Sequence, residues 1–543
     1  MLHRPSPACS LLVAALVLAA TGAAQNPFHG SGAVGAYIVN TPGVLGQQLV
    51  VGYGSPTTPL PICILGVSDG IGPTFVPGFG NLGIDLLSPA YQTFTFGLDA
   101  NGDGAGLLTL PPGFPLPTDP PLFFHAATFE LAGISVSKTV RVEWALPDAW
   151  EPTAPMATAR QLHTATALAT DPRDPLTEVL VCGGATGSII VPVPLASAEL
   201  YSPLTRSTTP LPSLLLPRAS HRAVRLQDGR ILITGGVTNG GLVTATCETF
   251  DPATNTFSLA GLMNAPRAGH AVTLLNDGRV LISGGVSDWQ NAGTQLAARL
   301  NTAQNTAEIF DPVTGLFTPV PNMAARRFGH SQTLLPNGSV LLVSGISGGT
   351  SSVDPTTGQT GQTPLWTTSC EVFDPTTLTY TPTAALGGLL PVVPERAFHG
   401  ASVLPNGDVL ITGGLVPGTP QGLGANRPAV AGAACAVWNG TTWAATAPLP
   451  VAAGFHTHVP FAGGALIIGG FTGGLDTLQT TAQVVLHDGT AATQLTSVGL
   501  GSGGGARSLA AHTCTPMYDG TFLILGGGVW PSTLDTGLVY TPN

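Results

Sequence analysis

Charge is what this sequence has least of: only 9% of its 543 residues are Asp, Glu, Lys or Arg, against roughly 25% in an average globular protein. The 18 basic residues face 29 acidic ones, for a formal net charge of -11. Binding nucleic acid needs a surplus of Lys and Arg to displace phosphate counterions, so nucleic acid is excluded as a partner. The basic residues are also scattered, which leaves no stripe for an anionic membrane surface. Long apolar runs are missing too. None approaches the roughly 18 residues a spanning helix needs, so no transmembrane segment is expected. Cysteine is sparse: of seven, Cys9 precedes the N-terminal apolar run. The other six (Cys63, Cys182, Cys247, Cys370, Cys435, Cys514) are too few for a disulfide scaffold.

What is present is a large apolar fraction, 43%, with 71 Gly and 49 Pro. Such a chain can bury a core, which excludes intrinsic disorder. Abundant Gly and Pro suit many short strands joined by turns, an all-β class. At the N-terminus, Arg4, the apolar stretch Leu11 to Ala20 and the small residues Gly22-Ala23-Ala24 read as a signal peptide over residues 1–24. The expected location is therefore secreted: extracellular, periplasmic or associated with the cell surface.

A repeat organises the rest. Its unit runs Arg-x-x-His, an alternating apolar stretch, an Asp-Gly or Asn-Gly turn, a β-branched run ending in Gly-Gly, a variable connection, Glu-x-aromatic-Asp-Pro and a further aromatic. The clearest copies begin at Arg218, Arg267, Arg327 and Arg396. Asp228-Gly229, Asp277-Gly278, Asn337-Gly338, Asn406-Gly407, Gly463-Gly464 and Asp519-Gly520 predict two-residue type I′ hairpins. Continuous apolar runs such as Ile231-Leu232-Ile233 predict strands covered on both faces. Counting the pairs at Gly183, Gly235, Gly284, Gly413, Gly469 and Gly526, plus Ser344-Gly345, gives seven units. The last unit stops after its third strand, at Leu538 to Pro542. Trp150 to Met156 matches the missing outer strand, so the N-terminal strand is expected to complete the C-terminal blade. Cys247, Cys370 and Cys435 share a repeat position with Ala198 and Ala307, as small buried residues would.

These motifs resemble the kelch repeat of the galactose-oxidase-like propeller superfamily, in its bacterial secreted form, over about residues 145–543. The resemblance implies a seven-bladed β-propeller of four-stranded blades around a central channel. Residues 25–144 lack the repeat and read as a small β-sandwich domain. Within them, Asp99-Ala100-Asn101-Gly102-Asp103-Gly104 starts like a calcium loop, but Leu110 stands where a bidentate Glu is required, so it reads as a hairpin turn. The superfamily also includes copper oxidases, whose site uses a cross-linked Cys and Tyr, a second Tyr and two His. Here the seven Tyr include none followed directly by His.

Candidate site residues come from the repeat. His163, His221, His270, His330, His399, His456 and His512 precede the inner strands, with Arg160, Arg218, Arg267, Arg327 and Arg396 three residues before the first five. At the channel mouth these arginines could grip a carboxylate or sugar acid. A residue present in every unit equally suggests a scaffold role. Glu199, Glu248, Glu308 and Glu371 occur in units one to four only. They suggest ion pairs to the next unit (Glu199 with Arg218, Glu248 with Arg267, Glu308 with Arg327, Glu371 with Arg396), leaving Arg160 alone, with pairing inside a unit as the competing arrangement. His456 and His458 share a strand face, without a third metal ligand. The expected function is non-enzymatic binding of a carbohydrate or protein by a monomer, without cofactor or metal. Ligand contacts are expected in the connections Val286 to Thr306, Ile346 to Ser369 and Leu415 to Ala434. A copper oxidase or other carbohydrate-active enzyme is the alternative.

Overall fold

A computed structural model describes residues 149–542, apart from 169–176, 188–191, 290–298, 354–359, 388–392, 420–428, 462–463, 475–478, 496, 499–507, 518–520 and 530–531. It also describes ten strands between residues 35 and 142. The expected signal peptide, residues 99–103 of the expected calcium-like turn, and the expected turns at Gly463 and Asp519-Gly520 lie outside the described residues or overlap them only at their edges.

Seven four-stranded antiparallel sheets account for residues 149–541. Blade three shows the pattern: Ala271–Leu274, Val280–Ser283, Ala307–Asp311 and Leu316–Val320, paired in chain order from inside to outside. The innermost strands of blades one to seven are Thr164–Ala167, Arg222–Arg225, Ala271–Leu274, Ser331–Leu334, Gly400–Val403, Thr457–Phe461 and Thr513–Pro516. Each neighbours the next, and the seventh neighbours the first, so the sheets close into a ring. The chain is an all-β, seven-bladed propeller.

Local chemistry explains the blade. The second strand is buried along its whole length in every blade, as in Val179–Cys182 or Phe522–Leu525, because neighbouring blades cover both its faces. Third and fourth strands meet through aromatic pairs, Phe250 with Phe257, Phe310 with Phe317 and Phe373 with Tyr380, at 4.6 to 4.9 Å between ring centroids. Between them the Asp-Pro turn forms as expected, the Asp311 carboxylate accepting the Val313 N–H at 2.8 Å.

The first hairpin differs from expectation. Only its glycine has positive φ, 94° at Gly229. Gly229 N–H bonds Leu226 O at 3.1 Å and Leu226 N–H bonds Arg230 O at 2.8 Å. The loop is therefore three residues long, a type I turn closed by a left-handed glycine, instead of the two-residue type I′ form. The Asp228 carboxylate favours it by accepting the Arg230 N–H at 3.0 Å. The turns at Gly278, Gly338 and Gly407 repeat this geometry.

The Gly-Gly pair is required twice over. Gly235 and Gly236 have φ of 57° and 101°, and a Cβ on Gly235 would stand 2.3 Å from Arg267 O of the next unit, so any side chain would collide there. Ser344 keeps the left-handed backbone at φ 53° and uses its hydroxyl to accept the Arg396 N–H at 2.9 Å.

Ring closure is as expected. Ala149–Pro152 pairs antiparallel with Gly537–Thr541, Trp150 opposite Tyr540, with the two rings stacked at 4.5 Å. Two sheet edges are thereby covered.

Ahead of the ring, Gly35–Val39, Leu49–Gly54 and Gly104–Leu108 form one sheet. Val140–Val142, Leu122–Glu130, Pro59–Ser68 and Gln92–Phe96 form another, with Gly133–Val136 added beside Leu122–Glu130.

Candidate functional site

In each unit the outer-to-inner connection and the second-to-third-strand connection emerge on the same face of the ring. There the residues leading into each repeat histidine make a tight turn whose last residue before His is left-handed in all seven units: Leu162, Ser220, Gly269, Gly329, Phe398, Phe455 and Ala511, with φ between 52° and 68°. Their backbones form a closed belt. Each N–H donates to the carbonyl of the equivalent residue one blade back, from Ser220 to Leu162 at 3.1 Å round to Leu162 to Ala511 at 3.2 Å. A left-handed non-glycine residue costs about 1 to 2 kcal/mol, and the hydrogen bond offsets part of that at each position.

The recurring polar residues of the repeat lie behind this belt. All five arginines are 0 to 1% exposed, so their guanidinium groups are packed inside the blades, away from solvent at the channel mouth. Nη1 of Arg218 donates to Gly235 O and Thr246 O at 2.7 and 3.0 Å, and the other four repeat this pair of carbonyl contacts. The expected ion pairs to the following unit are not formed. The pairs are within a unit: Arg160 with Glu199 at 2.6 Å, Arg218 with Glu248 at 2.5 Å, Arg267 with Glu308 at 3.0 Å and Arg327 with Glu371 at 2.6 Å. Arg160 thus has a partner, and Arg396 has no carboxylate partner among the described residues. The physical reason is that each glutamate also accepts a backbone N–H of its own unit's entry turn, three residues before the arginine: Ala157, Leu215, Asn264 and Ala324, at 2.8 to 2.9 Å. One carboxylate therefore ties the entry turn to the third strand of the same blade.

The histidines link blades. Nε2 of His163, His221, His270, His330, His399, His456 and His512 lies 2.8 to 3.1 Å from a hydroxyl of the preceding blade: Thr513, Thr164, Thr234, Ser283, Ser331, Thr412 and Thr457 respectively. The hydroxyl sits either at the first residue of the inner strand or at its cross-strand partner, the last residue of the second strand. Thr164 faces Cys182, while Thr234 faces Arg222. Each blade carries it at one of these two paired positions. Burial, the main cause, holds His221 and His512 at a pKa of about 3 and His456 at about 4, and it pushes the other four well below the ordinary value. All seven are neutral at physiological pH.

His456 and His458 do converge, both onto Thr412 Oγ1 at 3.0 and 2.8 Å, while His458 Nε2 meets Ser402 Oγ at 2.7 Å. Among the described residues no group of three or more His, Cys, Asp or Glu side chains could hold a metal ion. Tyr201 and Tyr540 are buried within blades one and seven, and Tyr380 packs on Phe373. The described cysteines are free, and Cys247, Cys370 and Cys435 occupy the small buried position read from the repeat. The donor set of the described residues does not match the copper site that the oxidase resemblance implies.

Sequence reasoning missed the side chains of the belt itself. Phe398 and Phe455 stack at 4.1 Å, Phe328 meets Phe398 edge-on at 5.1 Å, Phe455 meets Phe471 at 6.0 Å, and Trp289 meets Phe328 at 6.4 Å. This aromatic wall spans blades three to six, with Trp289, Phe328 and Phe471 buried beneath it. Phe398 and Phe455 remain half-buried and reach solvent. The signal was present as aromatics directly before His399 and His456, but it became meaningful only once that position was known to face the mouth. The wall adjoins the three long connections. Those of blades four and five fold partly as ribbons, Ile346–Val353 with Thr360–Trp366 and Leu415–Pro417 with Ala429–Ala431.

Ring and mouth together define a seven-bladed β-propeller with an aromatic-walled opening on the face of its variable connections. No protein-family model and no curated protein matches the chain. Among solved structures it is similar to that of YjhT, at 16% identity and a TM-score of 0.44 over 63% of this chain and 99% of that one. It is also similar to a fungal alcohol oxidase of the AA5 family in complex with copper, at 16% identity and a TM-score of 0.49 over 73% of this chain and 76% of that one. The propeller assignment rests on the seven sheets themselves. No described helix is long and apolar enough to cross a membrane.

Proposed function

We propose that this chain is an exported, non-enzymatic binding protein of the kelch propeller type, its residues 25–144 forming a separate β-sandwich, and that it holds a carbohydrate on the ring faces of Phe398 and Phe455. The observation that carries this reading is the 4.1 Å Phe398–Phe455 stack, which reaches solvent and is flanked by the longest connections. Apolar ring faces with adjustable polar loops around them suit the C–H faces of sugar rings. A rigid ring presenting variable connections is also how repeat folds place specificity. Protein ligands contacted by the same loops are the other outcome.

The test is a glycan array followed by calorimetry with Phe398→Gly and Phe455→Gly. Glycine already stands at this position in Gly269 and Gly329, so both variants keep the left-handed turn and fold. Each is expected to weaken sugar binding about 2- to 12-fold, from roughly 0.5 to 1.5 kcal/mol of stacking. Unchanged affinity in both would overturn the site. Stoichiometric copper in the purified protein would replace this reading with the oxidase. Export is tested separately by N-terminal sequencing of the mature protein, expected to begin at Gln25.

A further inference from the structure

One position in the channel wall is released from the task it has elsewhere. The first residue of the innermost strand points toward the next blade, and in blades one, four, six and seven it supplies the hydroxyl that bonds the next histidine: Thr164, Ser331, Thr457 and Thr513. Blade two has Arg222 there. Its cross-strand partner Thr234 makes the bond to His270 instead, at 2.8 Å. Arg222 uses one donor on the neighbouring blade, Nε to His270 O at 2.9 Å, which sets the course of the side chain. Nη1 and Nη2 have no hydrogen-bond or carboxylate partner among the described residues.

The guanidinium faces the lumen. Arg222 is exposed although it lies on an innermost strand, whose two faces are covered by neighbouring blades, so the solvent it meets is that of the channel. Protein still surrounds it: burial lowers its pKa below the ordinary value, and no carboxylate acts against that. At the same level the other six blades carry Thr164, Ala271, Ser331, Gly400, Thr457 and Thr513, short residues that leave the lumen in front of it to solvent. The seven innermost strands contain no Asp or Glu. Their other arginine, Arg225, lies three residues nearer the hairpin face, with Nε on Leu168 O at 3.0 Å and the Asp228 charge acting on it. Arg222 is two residues past the belt residue Ser220, so in a chain of net charge -11 the mouth opens onto an unpaired cation. Channel walls of low dielectric focus the field of such a charge into the lumen.

We propose that the upper channel is an oxyanion site, in which Nη1 and Nη2 of Arg222 hold two oxygens of a carboxylate or sulfate group as a bidentate pair. Neither Phe398 nor Phe455 enters this site, and it stands apart from the sugar-binding reading.

The experiment is calorimetric titration of the full chain with sodium sulfate and with sodium glucuronate, against sodium chloride at matched ionic strength. Wild type is expected to bind at least one of the two oxyanions saturably and chloride not at all. Glucuronate tighter than sulfate assigns the site to the carboxylate of a sugar acid, and the reverse assigns it to a free inorganic ion. Arg222→Thr, the residue of blades one, six and seven, is expected to weaken binding about 10- to 100-fold. Arg222→Lys, a single point charge, is expected to keep part of the affinity, and Arg225→Thr at the far end to keep all of it. No saturable oxyanion binding to wild type, unchanged affinity in Arg222→Thr, or an equal loss in Arg225→Thr would each overturn the proposal. The wild-type titration decides even where a variant fails to fold.

Discussion

At the scale of single residues, the repeat uses buried polar groups as fasteners of two kinds. Arg–Glu pairs clip a blade's entry turn to its own third strand, and histidines bond hydroxyls one blade back. Breaking one member of a clip, as in Glu248→Ala, leaves Arg218 buried and unpaired and is expected to destabilise by about 3 to 5 kcal/mol in denaturant unfolding. The double replacement Arg218→Ala with Glu248→Val, the pattern of unit six, is expected to cost much less, and equal costs would show that the clip is not acting as a pair. The histidines make a pH prediction with a definite sign. Unfolded, each takes up a proton below its ordinary pKa of about 6.5. Folded, it stays neutral down to about 3 to 4 where values are resolved. Their contribution is complete above pH 6.5 and is lost as pH falls toward 3, at about 1.4 kcal/mol per pH unit for each histidine. Melting temperature should therefore be nearly flat above pH 7 and fall steeply below 6. Replacing His456 by Gln should make that fall shallower.

At the scale of elements, turns were largely legible because their causes are local. Glycine pairs, Asp-Pro and the aromatic pairs on third and fourth strands sit where they were read. The Asp-Gly hairpin was misjudged by one loop residue because Asp228 caps the Arg230 N–H, a side-chain contact that dipeptide preference does not include. The closing strand is the element on which the ring depends. Trp150 is 5% exposed and stacked on Tyr540, so Trp150→Ala is expected to cost about 3 to 5 kcal/mol. Deleting the strand Gly537–Thr541 with the residues after it removes two pairings at once and should abolish the cooperative transition. Unchanged calorimetric melting of the truncated chain would refute closure by this strand.

At the scale of the molecule, one face of the ring gathers the irregular features described: the belt of left-handed residues, the aromatic wall and the long connections. The opposite face carries the short hairpins. On the proposed binding function, specificity belongs to the irregular face because Phe398 and Phe455 are not committed to holding blades together, as the regular Arg, Glu and His positions are. The number of blades, the strand that closes them and the burial of the second strands follow from the sequence alone. They depend on turn geometry, strand patterning and the count of repeats, all encoded over short stretches. Which partners those residues take was decided by tertiary structure. Glu199 bonds Arg160, 39 residues earlier, rather than the nearer Arg218, because like repeats offer like donors on either side and only the packed ring selects among them. The same packing turned Phe398 and Phe455, unremarked in the linear chain, into the wall of the mouth.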